Sequence, residues 1–201
     1  MVGRVNSRRL LEIGGYAAGA VLIAFGIAVI VLAVNGHSTV TSELKQEQIT
    51  GTPDMTPEAI KAEAQKAGLE DVDLPTCSVA GKLVSSGSEA RCFAQYMRIH
   101  ALEASGGLTY SQLPRYATDD GKGTNDADQA TKGANGQAVD NPVRNVWITQ
   151  TALSTALNVS YMATQLSLFS LVVGIALLLT GVGFIVLAAG GALRSRERAA
   201  V

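Results

Sequence analysis

Few residues in this chain of 201 are of types that carry chemistry. Cys77 and Cys92 are the only cysteines and lie 15 residues apart. In an oxidising compartment a disulfide closing such a loop contributes about 3 kcal/mol in the chain-entropy model. It would tie an irregular stretch near residues 74–84 to a helix starting near Gly87; the alternative is a pair of buried free thiols. Two cysteines without a nearby histidine pair cannot fill the four positions of a structural zinc site. His100 and Glu103 sit at i and i+3 on a predicted helix, near Tyr96 and Arg98. No motif surrounds them, so they read as a surface ion pair and not as an acid–base site. Asp126 and Asp128 suggest a calcium loop, but an EF-hand needs Gly at position 6 and an acid at position 12. Here those positions hold Thr131 and Gln137, which leaves a solvated loop. G-x-S-x-G, P-loop and G-x-G-x-x-G patterns are all absent. The expectation is therefore a protein that is not an enzyme, with no cofactor and no metal site.

The segments that must position these residues are dominated by two uncharged runs. Residues 166–189 form 24 consecutive uncharged positions, 15 of them Leu, Ile, Val or Phe. As a helix the run spans roughly 36 Å, more than a hydrocarbon core of about 30 Å. Residues 13–34 form a second uncharged run of 22. It is longer than the apolar part of a cleavable signal peptide, and Ala33-Val34-Asn35 is a poor cleavage site. It is read as a retained signal anchor. Arg4, Arg8 and Arg9 precede the first span, and Arg194, Arg196 and Arg198 follow the second. Arginines near spans stay on the cytoplasmic side. The topology expected is a cytoplasmic N-terminus (1–12), a span at 13–34, an extracytoplasmic domain at 35–162, a second span at 163–190 and a cytoplasmic C-terminus (191–201). The two flanks carry 6 − 2 = +4 charges and the middle 10 − 15 = −5. An acidic middle argues against nucleic-acid binding.

Small residues recur along one face of each span: Gly15, Gly19 and Gly26 in the first, Gly174, Gly181 and Ala188 in the second. Lipid supplies no hydrophobic drive for helix pairing, so close backbone approach matters. These stripes are expected to pack the spans on each other or on neighbouring copies. Neither span holds an Asp, Glu, Lys, Arg or His, which weighs against a proton relay or ion pathway.

Between the spans the signals are helical. Asn35-Gly36 is expected to break or bend the first helix, with a second helical piece at 39–50. Thr56-Pro57-Glu58 starts a helix that stops at Gly68. Ser86 and Glu89 have capping-box spacing and open a helix to about Ala104. Its apolar stripe is Ala90, Phe93, Ala94, Met97 and Ala101, with Leu102 at the margin. Thr109 and Gln112 repeat that spacing over a short turn. Residues 117–140 are polar, with a hairpin signal at Asn135-Gly136. Asn141-Pro142 starts a helix with no stop signal before Leu193, so a helical stalk at 142–162 should run into the second span. Trp147 should pack in the outer domain near the top of that stalk. Asn158-Val159-Ser160 matches a glycosylation sequon, but its place at the membrane surface makes it a chance match. Together these readings give an all-α membrane protein: a two-helix transmembrane hairpin, a small, mainly helical extracytoplasmic domain and a long C-terminal helix.

At RCFAQYMRIHALEASGGLTYSQLPRY (91–116) and NPVRNVWITQTALSTALNVSYMA (141–163) the chain resembles a family of uncharacterised actinobacterial two-span membrane proteins. The resemblance extends over most of the chain from Thr39 onward and implies the same topology and a place in the cell envelope. Members often carry an "aromatic ring-opening dioxygenase" label. A non-haem iron site takes two histidines and a carboxylate. Here the two histidines are His37, beside the first span, and His100, so no catalytic residue is transferred.

The function expected is a non-enzymatic structural or accessory subunit of the bacterial plasma membrane. Beyond the lipid bilayer itself, its partners would be further copies of itself or a larger envelope complex. The alternative is a module that binds a small molecule or lipid on a surface formed by Tyr96, Tyr110, Tyr116 and Trp147. A pore or transporter component is the third reading.

Overall fold

The computed structural model describes residues 7–190, and the expectations for both cytoplasmic tails lie largely outside them. Four α-helices carry the fold: α1 (Ser7–Gln46), α2 (Pro57–Lys66), α3 (Gly87–Ala104) and α4 (Val143–Ala189). Among the described residues there are isolated β-bridges but no named strand. The chain divides into two compact units. One comprises 7–39 and 164–190 among the described residues, the other Val40–Ala163. The division falls inside both long helices.

In the first unit, α1 and α4 supply two helices long and apolar enough to cross a membrane. Of the most apolar 18 residues of each, 17% are buried. The core helix of a soluble protein would be mostly buried. Leu32, Phe25, Phe169 and Leu179 stand exposed, while the small residues Gly15, Gly19, Gly26, Gly174, Gly181 and Ala188 are buried.

The two helices run antiparallel where they touch. A Cβ at Gly19 would lie 2.7 Å from the carbonyl oxygen of Gly181, and one at Gly26 2.8 Å from that of Gly174. The glycines are therefore required, because any side chain would force the backbones apart. Ala33, buried at 4% exposure, extends the stripe seven residues beyond Gly26.

The expected break at Asn35-Gly36 does not occur, and α1 continues unbroken to Gln46. Glycine inside a helix costs about 1 kcal/mol relative to alanine, but Gly36 faces a close neighbour. A Cβ there would come within 3.0 Å of Ser167 Oγ. The helix ends where Gln48 adopts φ +52°, a left-handed C-terminal geometry usually taken by glycine.

In the second unit, α3 is the central element. Its core partners include Leu44 at the end of α1, Ile60 and Ala64 of α2, and Trp147 and Leu157 of α4. Val79 and Val84 from the irregular segment also join it. Both short helices begin as their caps predict. The Thr56 hydroxyl accepts from the Ala59 amide at 3.2 Å. Gly68 follows α2 at φ +67°. The α4 start uses Asn141, whose Oδ1 accepts from the Val143 amide at 3.1 Å.

The α3 start is a capping box shifted by one residue on its return bond. Ser86 Oγ accepts from the Glu89 amide at 3.3 Å, and Glu89 Oε2 accepts from the Ser86 hydroxyl at 2.9 Å and from the Ser85 amide at 3.0 Å. Burial pushes the Glu89 carboxyl up, but the bonds from Ser85 and Ser86 outweigh it, and the group lies below its ordinary value of 4.5. A depressed carboxylate contributes stability above its unfolded value and loses it as pH falls through the folded one. Ser86→Ala should therefore destabilise the protein by about 1 kcal/mol at neutral pH. The difference should shrink in acid. Thermal melts of both proteins in detergent at the two pH values check this.

The polar stretch after α3 is held by its own side chains. The Thr109 amide donates to Gln112 Oε1 at 2.9 Å, as the capping-box spacing predicts. Lys132 and Ala138 form an antiparallel bridge around Asn135-Gly136, with Gly136 at φ +73°. Asp126 caps a short 3-10 turn over Ala127–Gln129, accepting from the Asp128 amide at 2.9 Å.

Candidate functional site

The cysteine pair is joined, with an S–S distance of 2.06 Å. Cys92 is buried on α3, and one turn later Tyr96 reaches the same segment. Its hydroxyl donates to the Cys77 carbonyl at 2.6 Å. The irregular chain before α3 is thus fixed to that helix by one covalent link and one hydrogen bond. Burial, with the Glu58 carboxylate second, raises the Tyr96 phenol above its ordinary value of 10.0.

Tyr96 corrects the expected binding surface. It is 0% exposed and belongs to the core, because the α3 face that buries Phe93 and Ile99 also buries position 96. Trp147 is also in the core, with its indole N–H donating to the Leu108 carbonyl at 3.0 Å. Only Tyr110 and, in part, Tyr116 reach the surface. The four aromatic residues do not converge on one pocket.

A different pattern, missed in the sequence, organises the surface: each of four arginines lies over an aromatic ring. The guanidinium carbons sit 4.7 Å (Arg91 on Tyr161), 5.7 Å (Arg98 on Trp147), 5.1 Å (Arg115 on Tyr116) and 4.1 Å (Arg144 on Tyr110) from the ring centroids. Each stack is worth about 0.5–1 kcal/mol at exposed sites. A stacked guanidinium keeps edge N–H groups available for carboxylate or phosphate. Arg91 and Arg98 border a hollow of about 350 Å³ shared with Trp147, Gln150 and Ser154. Arg115 and Arg144 border a second, of about 340 Å³, beside Tyr110 and Asn141. Only the adjacent pair Arg115-Tyr116 is visible locally; the other three join residues at least 34 positions apart (144 − 110).

His100 makes the ion pair expected with Glu103, but not that pair alone. Glu103 lies 3.9 Å from Nδ1, but Glu63 on α2 is nearer, at 3.7 Å, and Asp54 faces Nε2 at 3.3 Å. Asp54 is held below its ordinary value of 3.8, chiefly by a hydrogen bond from the Thr52 side chain, with His100 a smaller contribution.

No protein-family model, no curated protein and no solved structure matches the chain.

Proposed function

We propose that the chain is a two-span protein of a bacterial plasma membrane. Both ends lie in the cytoplasm, and the unit Val40–Ala163 lies on the opposite side. In this reading α4 continues from an external stalk into the bilayer, and α1 and α4 form a transmembrane hairpin. The chain acts as a non-enzymatic accessory subunit, docking through its outer unit on a larger envelope complex or on further copies of itself.

The observation that carries the docking role is the set of four arginine-over-aromatic stacks. Arginine, tryptophan and tyrosine dominate the energetics of protein–protein contacts. A ring beneath a guanidinium also limits the side-chain freedom that binding would otherwise remove. The glycine faces are already used between α1 and α4 of one chain, so association falls to the remaining surfaces. The disulfide supports an oxidising side for the outer unit.

Purification of the tagged protein in a mild detergent, with native electrophoresis and mass spectrometry, tests this. The expected result is a species larger than the monomer, depleted in an Arg98→Ala, Arg144→Ala double variant that still melts like the parent. A monomer with nothing specific co-purifying would contradict it.

The hollow beside Arg91, Arg98 and Trp147 favours a second reading, in which the outer unit binds a small anionic ligand. Under that reading the monomer would bind anionic but not zwitterionic lipid headgroups, and Arg98→Ala would abolish the difference.

A further inference from the structure

We infer that Asp54, Glu63 and His100 form a binding site for a divalent transition metal of the zinc class. The three residues come from separate parts of the second unit: the turn before α2, the middle of α2 and the last turns of α3. One ligand atom from each lies within 4.8 Å of the others. Around a tetrahedral zinc ion with bonds of about 2.0–2.2 Å, ligand atoms stand roughly 3.4 Å apart. The Asp54–His100 contact, at 3.3 Å, already has that spacing. That contact is made through Nε2, whereas the Glu63 oxygen lies 3.7 Å from the other ring nitrogen, Nδ1. Glu63 must therefore swing its carboxylate toward Nε2 to share an ion with Asp54, within a cluster whose ligand atoms already lie within 4.8 Å of one another. All three side chains are partly exposed, and such adjustment needs no movement of the core.

Two further features point to a cation and to its class. The first is charge. Asp54, Glu63 and Glu103 surround one imidazole, and among the described residues no lysine or arginine forms an ion pair with any of them. Even a protonated His100 leaves a net charge of two negatives there. The second is the donor set. An imidazole nitrogen combined with carboxylate oxygens suits zinc, nickel or copper, whereas calcium and magnesium take oxygen alone. A water would fill the fourth position.

His100 also borders an open hollow lined by Met97, Ala101, Pro142 and Val146, which gives an ion a path from solvent. A bound ion would link the 51–56 turn, α2 and α3. It would thereby reinforce the side of α3 that the disulfide leaves untied.

The test uses the full chain in detergent, stripped with chelator and freed of any histidine tag. It is titrated with zinc in a calorimeter and melted with and without the metal. The expected result is one zinc per chain and a raised melting temperature, with no comparable effect of calcium or magnesium. His100→Gln and Glu63→Gln should each weaken binding at least about tenfold. His37→Gln, which alters the other histidine, should leave it unchanged. The absence of saturable zinc binding would overturn the inference. So would equal binding by His100→Gln, or loss of binding in His37→Gln. Both site variants alter partly exposed side chains, and their metal-free melting curves report whether they remain folded.

Discussion

Gly26→Leu is expected to prevent α1 and α4 from packing, with a loss of at least about 1–3 kcal/mol, the usual cost of overpacking. The clash is with backbone. A Cβ at position 26 would meet the Gly174 carbonyl oxygen and the Leu178 amide nitrogen, each at 2.8 Å. Neither can rotate away as a side-chain tip could, so a helix axis must move. Gly181→Leu should act alike, since its Cβ would lie 2.7 Å from the Gly19 carbonyl oxygen. Gly14→Leu and Gly183→Leu are the controls, because a Cβ at either has nothing within 4 Å. Fluorescence-detected size-exclusion after heating in detergent separates the outcomes. The first two variants should aggregate at markedly lower temperature, and the controls should follow the parent.

Removing the disulfide should cost the second unit about 3 kcal/mol. Cys77→Ser, Cys92→Ser releases a loop spanning 15 residues, and the chain-entropy model assigns roughly that value to such a loop. The Tyr96 hydrogen bond to the Cys77 carbonyl would remain but, at about 1 kcal/mol, cannot replace the link. The released segment carries Val79 and Val84, both buried in the core, so the loss should spread beyond the loop. Limited proteolysis checks this directly: the double variant should be cut between residues 69 and 85 under conditions that leave the parent intact. Equal resistance would show that packing alone holds the segment.

These two sites differ in how visible they are in the sequence. The two long apolar helices are legible because a helix long and apolar enough to cross a membrane needs a long uncharged run, and such a run is plain in the sequence. The starts of α2 and α3 are legible because capping is local: Thr56, Ser86 and Glu89 act within four residues. The glycine stripe is legible as a stripe, but its partner is not. Only the structure shows Gly19 against Gly181 and Gly26 against Gly174 within one chain. The continuity of α1 through Asn35-Gly36 was hidden because Gly36 answers to Ser167, far along the chain. Gln48 hid the end of α1, since glutamine gives no left-handed signal.

The candidate site was the least legible part. Tyr96 reads as a surface aromatic until the Cys77 carbonyl receives its hydroxyl. Asp54 and Glu63 join His100 across 46 and 37 positions (100 − 54 and 100 − 63). The arginine stacks arise in the same way, mostly from tertiary contact. Periodicity and motifs report neighbours along one element, and these groupings belong to the space between elements.

The central claim is that α1 and α4 cross a bilayer with the unit between them on the outer side. Single cysteines introduced as Lys132→Cys and Ser195→Cys test it, because the native disulfide does not react with maleimides. In intact cells a membrane-impermeant maleimide should label position 132, while position 195 should react only after the membrane is opened. Labelling of 195 with protection of 132, or of both in intact cells, would contradict the account.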